Sequence, residues 1–213
     1  SLVSSTATSY NADYLKVFNS VFRHSQFTGL VDDTDSAILS NTTTVALGFL
    51  FTPNTAGSYS FTVNFGNPLH NPHSGHNASA GGIIASTGFY VNGETSEMFF
   101  DDDGDGNIRV YHLVAGVRTY WLSSAGTINY AKGLVSVNPI YITSTSNVDN
   151  SASTAIRMTS IPDSFDIVGV RNQILEIDSL NTSVIGGQDT IAVSGSANTG
   201  YITNTTFIEP SSY

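Results

Sequence analysis

Residues 86–138 constrain the fold of this chain more than any other stretch. They form arms rich in aromatic and β-branched residues, divided by the acidic and glycine-containing run at residues 101–106. Because aspartate and glycine tolerate the left-handed backbone of a tight reversal, that run predicts the turn of a β-hairpin. Further reversals at residues 115–116 and 132–133 follow at the spacing of turns in an all-β domain. The stretch therefore predicts an antiparallel β-meander.

One helix is predicted ahead of the meander, over residues 10–24. Its apolar stripe recurs at helical spacing and comprises Tyr14, Phe18, Val21 and Phe22. Residues 1–9 are small and polar, so we expect a loose arm there. Strands are predicted on both sides of the meander, and we expect them to share one sheet: residues 44–51, 58–65, 134–142 and 155–161.

These elements predict a mainly β protein with one N-terminal helix, in which a β-sheet domain carries an inserted β-meander subdomain. The chain then divides into four parts. They are the N-terminal helix with the first strands of the core sheet (1–82), the inserted meander (83–133), the return strands (134–178) and a C-terminal assembly segment (179–213).

The composition excludes several classes of protein. The chain has 213 residues and a formal charge of −10, yet only 11% of its residues are charged, less than half of the usual ~25%. It has no basic cluster with which to displace counterions from nucleic acid, so we predict no nucleic-acid partner. No apolar run approaches the ~18–20 residues of a membrane span, so we predict no membrane partner. The absence of cysteine excludes thiolate chemistry.

The acidic turn offers a candidate metal site. Asp101, Asp103 and Asp105, followed by Gly106, match the first positions of a calcium-binding loop, in which alternate carboxylates converge on one hard cation. The position that should supply a bidentate glutamate is His112, and the flanks resemble strands. A solvated hairpin tip is the competing interpretation. Apart from calcium at this turn, the sequence predicts no cofactor.

A second cluster of candidate ligands lies in the loop at residues 67–82, which is longer than most structureless connections. His70, His73 and His76 recur there every three residues, and three imidazoles in a short loop could bind Zn²⁺ or Fe²⁺. Pro72 prevents a regular helix, so the spacing does not place the rings on one face. The alternative is that these histidines bond to the loop backbone.

No catalytic motif is present, and we predict that the chain is not an enzyme. It lacks the G-x-S-x-G, P-loop and H-E-x-x-H patterns. The aspartate run could supply a carboxylate pair for glycoside hydrolysis, but no acid/base context accompanies it. Trp121 and the ten tyrosines favour an alternative function, a carbohydrate-binding or adhesin-like β-domain of a phage or bacterium. In a β-meander such residues more often pack across strands.

The C-terminal segment, residues 179–213, alternates short β-like runs with glycine and contains only two charged residues, Asp189 and Glu209. Such runs are too short for a core of their own. We expect them to pair with a neighbouring subunit, or to fold onto the meander only on assembly. The residues that would make this contact are Thr190, Ile191, Val193, Tyr201, Ile202 and Phe207.

Seven segments, in order, resemble the C-terminal part of the J-like baseplate wedge subunit of contractile-tailed phages, particularly those that infect marine bacteria. They are residues 21–25, 32–41, 69–76, 86–89, 100–107, 125–130 and 170–178. That subunit is substantially longer, so we expect this chain to be a fragment, a divided gene product or a shortened homologue.

The resemblance implies a non-enzymatic virion protein of the tail baseplate, assembled in the host cytoplasm. Its expected partners are other copies of itself and other baseplate wedge subunits, joined into a ring around the tail hub. The resemblance supplies no catalytic residue.

Overall fold

The computed structural model describes residues 1–76, 78, 82–169 and 173–187, together with the backbone of Ala192–Ser194 and Tyr201–Thr203. The protein is mainly β with a helical N-terminus, as the sequence predicted. The helices are α1 (Leu2–Tyr10), which continues as a π-helical turn (Asn11–Leu15), and α2 (His24–Asp32). The strands are β1 (Val21–Phe22), β2 (Leu47–Phe51), β3 (Tyr59–Asn64), β4 (Ala85–Ser86), β5 (Phe89–Val91), β6 (Met98–Asp102), β7 (Asn107–Val114), β8 (Val117–Asn129), β9 (Leu134–Ile140), β10 (Ile142–Thr145), β11 (Ile156–Ser160), β12 (Ile167–Val168), β13 (Ala192–Ser194) and β14 (Tyr201–Thr203).

The predicted bounds of the N-terminal helix were wrong. The expected loose arm at residues 1–9 is instead helical, and the Ser1 hydroxyl caps α1 by accepting a hydrogen bond from the Ser4 amide. Helical geometry ends after Leu15, and Asn19 takes a left-handed φ of 60° that reverses the chain. The apolar stripe is therefore split. Its first half, Tyr14 and Phe18, is exposed, and its second half forms β1, which pairs with β12.

An antiparallel sheet of seven strands contains the predicted meander, in the order β10-β5-β6-β7-β8-β9-β3. The predicted reversal at residues 115–116 joins β7 to β8, and both Ala115 and Gly116 have positive φ, as a two-residue hairpin turn requires. A second sheet of three strands has the order β2-β11-β4.

The four flanking strands lie in two sheets, so the prediction that they share one sheet was wrong. β3 pairs with β9 in the large sheet, while β2 pairs with β11 in the small sheet. Both sheets bury side chains in one core, where Phe89 and Phe100 of the large sheet join Ile156 and Met158 of the small one. Side chains alternate between the two faces of a strand, so packing the two sheets against each other buries one face of each strand. A single flat sheet would leave both faces exposed to water.

A second hydrophobic cluster lies beneath the helices. Its centre is Tyr10, whose ring lies edge-on to Phe22 and Phe27 at centroid distances of 5.6 and 5.3 Å. We call α1, the π-helical turn, β1, α2 and β12 the N-terminal unit. The two sheets are the body.

Candidate assembly surface

The hairpin of β7 and β8 extends beyond its neighbours in the large sheet. β8 pairs with β9 only from Gly126 to Asn129, so residues 117–124 have a strand partner on one side alone among the described strands. β9 leaves β8 after Val137, and Pro139 lacks the amide proton that would continue the ladder. We call residues 113–124 the arm.

The arm exposes large apolar side chains to solvent. They belong to both strands and lie on both faces: Leu113, Val114, Val117, Tyr120 and Leu122. Clustered exposed apolar residues mark interaction surfaces more often than isolated ones do. The arm is therefore a candidate contact surface.

One face of this hairpin is organised by the buried carboxylate of Asp101, whose side chain is 1% exposed. Arg109 donates to it twice, from Nε at 2.9 Å and from Nη2 at 3.1 Å. Arg118 Nη1 donates at 2.9 Å and the Tyr120 hydroxyl at 3.0 Å. Register explains the arrangement, because Asp101 of β6 lies directly opposite Arg109 of β7.

The two guanidinium groups also stack on aromatic rings. Arg109 lies 4.3 Å from the ring centroid of Tyr120, and Arg118 lies 4.8 Å from that of Tyr111. Phe99 stacks on Tyr111 with centroids 5.5 Å apart. Tyrosine and arginine, together with tryptophan, are enriched at the energetic centres of protein interfaces. We call Arg109, Tyr111, Arg118 and Tyr120 the Tyr/Arg face. Because both arginines are held in place, this face would lose little side-chain entropy on binding.

Burial sets the protonation of this face. It raises the pKa of Asp101 above its usual value, although hydrogen bonds and charge from Arg109, the Tyr120 hydroxyl and Arg118 act in the opposite direction. Burial and the neighbouring Asp101 carboxylate also raise the pKa of Tyr120. The tyrosines are therefore neutral at physiological pH. The face carries two cationic groups and one anionic group in a chain whose formal charge is −10.

The next residue, Asp102, points to the other side of the sheet and fastens the long loop to it. Its Oδ1 accepts the amides of Ile83 and Ile84 at 2.6 and 2.8 Å, and its Oδ2 accepts the Tyr130 hydroxyl at 2.6 Å. Gly82 passes so close that a Cβ there would lie 2.1 Å from Asp102 Oδ1. Burial and Asp102 raise the pKa of Tyr130. Asp102 is thus structural.

The three aspartates of the candidate calcium site have separate partners. Asp101 binds the arginines, while Asp103 closes its own turn by accepting the amides of Asp105 and Asn107 at 2.8 and 2.9 Å. Asp105 accepts a short hydrogen bond from the Ser74 hydroxyl. In the described part of the chain, no three acidic or histidine side chains form a group that could hold a metal. Calcium binding at this turn stays a prediction that this arrangement does not favour.

The histidine loop brings two imidazoles together. His73 Nε2 lies 3.1 Å from His76 Nδ1, and the ring of His70 lies 5.3 Å from that of His76. His70 Nδ1 also lies 3.7 Å from Asp163 Oδ1. The predicted alternative of bonding to the loop backbone holds for His73, which contacts the Ser74 carbonyl at 3.1 Å. Zn²⁺ or Fe²⁺ binding by this loop stays a prediction.

The predicted assembly residues are only partly within the described chain. Val193 lies in β13, and Tyr201 and Ile202 lie in β14; the register places Val193 opposite Ile202. Thr190, Ile191 and Phe207 lie outside the described residues. Among the described strands, β13 and β14 pair only with each other.

Trp121, the residue that the sequence suggested for carbohydrate binding, is partly buried against the core and donates a hydrogen bond from Nε1 to Glu94 at 3.1 Å.

The sequence did not identify the Tyr/Arg face. Its signal was present in the alternation of Arg109 with Tyr111 and of Arg118 with Tyr120, but only the hairpin register shows that the two pairs share one face.

Comparison with protein families identifies a match at the N-terminus. Residues 1–48 match the model of the baseplate structural protein gp6, C-terminal domain III. No curated protein matches the chain. The matched residues comprise α1, the π-helical turn, β1, α2 and the start of β2, so they include most of the N-terminal unit. The match supports a structural role in a phage baseplate.

Proposed function

We infer that this chain is a structural subunit of a phage baseplate wedge and that it joins neighbouring subunits in a contractile tail. The observation that carries this proposal is the match of residues 1–48 to a baseplate structural protein. Its proposed partners are other copies of itself and other wedge subunits, and its location is the tail baseplate of the virion. The proposal assigns no catalytic role, no nucleic-acid partner and no membrane partner. In the part of the chain that the structure describes, no helix is long and apolar enough to cross a bilayer.

The surface of the molecule supports an assembly role. Exposed large apolar residues are concentrated around the N-terminal unit, with Leu2 and Phe18, in the arm, with Leu113 and Val117, and near residues 174–185, with Leu180. A subunit that joins two neighbours needs two separate contact surfaces. The low share of charged residues fits a protein whose surface is covered in an assembly.

Localisation in the particle tests the proposal. We expect mass spectrometry of purified tails to find the chain, and gold-labelled antibody to mark the baseplate end. Tails from a phage in which the gene is disrupted are the control, and they should lack both the protein and the label. A chain found only in the lysate, or tails that assemble normally without it, would show that it is not a baseplate subunit.

A further inference from the structure

The histidine loop contains a four-residue turn with an imidazole at each end, His73 and His76. The His76 amide closes the turn by donating to the His73 carbonyl at 3.1 Å, and Gly75 occupies its third position with a positive φ of 73°. Because the Cα atoms of the first and fourth residues of a turn lie within about 7 Å of each other, the two side chains can meet at one point. Both histidines are exposed, so an ion from solution has access to them.

A backbone contact fixes which nitrogen of His73 faces its partner. His73 Nδ1 lies 3.1 Å from the carbonyl oxygen of Ser74. Since a carbonyl oxygen only accepts hydrogen bonds, Nδ1 carries the proton of the neutral ring, and Nε2 presents its lone pair. His73 Nε2 lies 3.1 Å from His76 Nδ1. In metal sites, the second ring nitrogen of a ligating histidine usually donates to a carbonyl or carboxylate in this way.

The separation of these two nitrogen atoms suits a shared metal ion. Zn²⁺ binds imidazole nitrogen at roughly 2.0–2.1 Å in tetrahedral geometry, which places two ligand nitrogens about 3.3 Å apart. The observed 3.1 Å is slightly shorter, so a small rotation of the two exposed rings would admit the ion. The competing arrangement is a hydrogen bond between the rings. Metal binding replaces its proton by the ion, and His76 then carries its proton on Nε2, so both imidazoles stay neutral.

The turn is held in place by the tip of the acidic hairpin. The Gly75 amide donates to the Gly104 carbonyl at 3.0 Å, and the side-chain amide of Asn71 donates to the same oxygen at 3.2 Å. The Ser74 hydroxyl donates to the carboxylate of Asp105. Because the turn is anchored before any ion binds, less conformational entropy is lost when its two imidazoles bind one ion.

We propose that His73 Nε2 and His76 Nδ1 chelate one divalent transition metal ion such as Zn²⁺. Imidazole favours Zn²⁺, Ni²⁺ and Cu²⁺, whereas Ca²⁺ and Mg²⁺ prefer oxygen ligands. Among the described residues, no three acidic or histidine side chains form a group that could hold a metal. We therefore assign the remaining coordination positions to water. His70 is assigned no bond to the ion, and its Nδ1 lies near Asp163 instead.

A bound ion would cross-link the two ends of the turn and fix the histidine loop on the hairpin tip. This role goes beyond the proposed function and does not depend on it. Isothermal titration calorimetry of the full-length chain with Zn²⁺, after treatment with a chelator, tests the inference. We expect one ion to bind per chain and Mg²⁺ not to bind at this site.

Single substitutions identify the ligands. We expect His73→Gln or His76→Gln to weaken Zn²⁺ binding about tenfold or more, because a single imidazole lacks the effective concentration that the second one supplies. The matched control is His70→Gln, which removes a histidine of the same loop and should leave the affinity nearly unchanged. All three variants should keep the Trp121 fluorescence of the natural chain, because the substituted side chains lie at the surface.

Side-chain ¹⁵N spectra identify the ligating atoms. On addition of Zn²⁺, the resonances of His73 Nε2 and His76 Nδ1 should shift, whereas those of His24 and His112 should not. Absence of Zn²⁺ binding to the natural chain would overturn the inference. So would binding that survives both substitutions in the turn, or a loss with His70→Gln as large as that with His76→Gln. None of these results bears on the baseplate role, which the tail analysis tests separately.

Discussion

The N-terminal unit and the body are held together in different ways. The meander at the centre of the body is built from hairpins of neighbouring strands, whereas the unit depends on contacts with the distant end of the described chain. Arg23 pairs with Asp166 at 2.9 Å, the His24 amide donates to the same carboxylate, and the Asn11 side chain accepts the Ile177 amide. Local sequence can therefore specify the meander, but not the unit.

Loss of the body's core should have the largest effect. Phe100 is fully buried and stacks on Phe89 with centroids 4.5 Å apart. We expect Phe100→Ala to lower the free energy of unfolding by about 3–5 kcal/mol. The matched control is Phe18→Ala, which removes an exposed phenylalanine of the N-terminal region and should change it by about 0.5 kcal/mol or less. Urea denaturation measures both, and similar losses would contradict the core assignment.

Loss of the hydrogen bonds at Asp102 should have the second largest effect on stability. Asp102→Asn retains one oxygen but replaces a charged acceptor of three hydrogen bonds, so we expect a loss of about 1–3 kcal/mol. Asp105→Asn alters an exposed carboxylate three residues beyond the end of β6 and should cost less. If the two substitutions have equal cost in thermal denaturation, Asp102 does not hold the loop.

A milder change should affect only the N-terminal unit. The Tyr10 hydroxyl accepts the Arg23 amide at 3.1 Å, so Tyr10→Phe should weaken the unit by about 1 kcal/mol. We expect faster hydrogen exchange in α1 and α2, while Trp121, the only tryptophan and part of the body, keeps its fluorescence. Faster exchange throughout the large sheet would show that the two regions unfold as one.

Lowering the pH should destabilise the N-terminal unit more than the body, with a smaller effect than the substitutions above. The His24 amide and the Arg23 guanidinium lower the pKa of Asp166, and Lys16 lowers that of Glu176. The stability that these two carboxylates contribute is complete above the usual carboxyl pKa of about 4. It is lost as the pH falls through their lowered pKa values. The raised pKa of Asp101 acts with the opposite sign, because protonation of this carboxyl below its folded pKa favours the folded state.

The pKa values of Asp103 and Asp149 are lowered as well, but these carboxyls bond to residues within ten positions along the chain or, for Asp149, also to Asn181. Because Asp166 and Glu176 instead join the N-terminal unit to the distant end of the described chain, we expect the unit to loosen before the body as the pH falls. Hydrogen exchange of α1, corrected for its intrinsic pH dependence, and Trp121 fluorescence report the two regions. Asp166→Asn removes one titrating group and should reduce the pH dependence of α1. Simultaneous loss of both signals in the natural chain would contradict the comparison.

The same contrast explains what the sequence could predict. Alternation and turn residues identified the meander and the turn at Ala115–Gly116, because those features are encoded within a few residues of each other. The helix was misplaced because Phe22 is drawn into β1 by β12, nearly 150 residues away along the chain. The Tyr/Arg face was missed because Asp101, Arg109 and Arg118 meet only in the correct register.

Hydrogen exchange in the isolated chain and in the purified baseplate tests the central claim, that this is a structural subunit whose arm is covered on assembly. We predict that amides of residues 119–124 not bonded to β7 exchange rapidly in the isolated chain and become protected in the baseplate. The core of β9 around Val135 and Val137, fully paired in both states, should exchange equally slowly. Rapid exchange of residues 119–124 in both states would contradict the account.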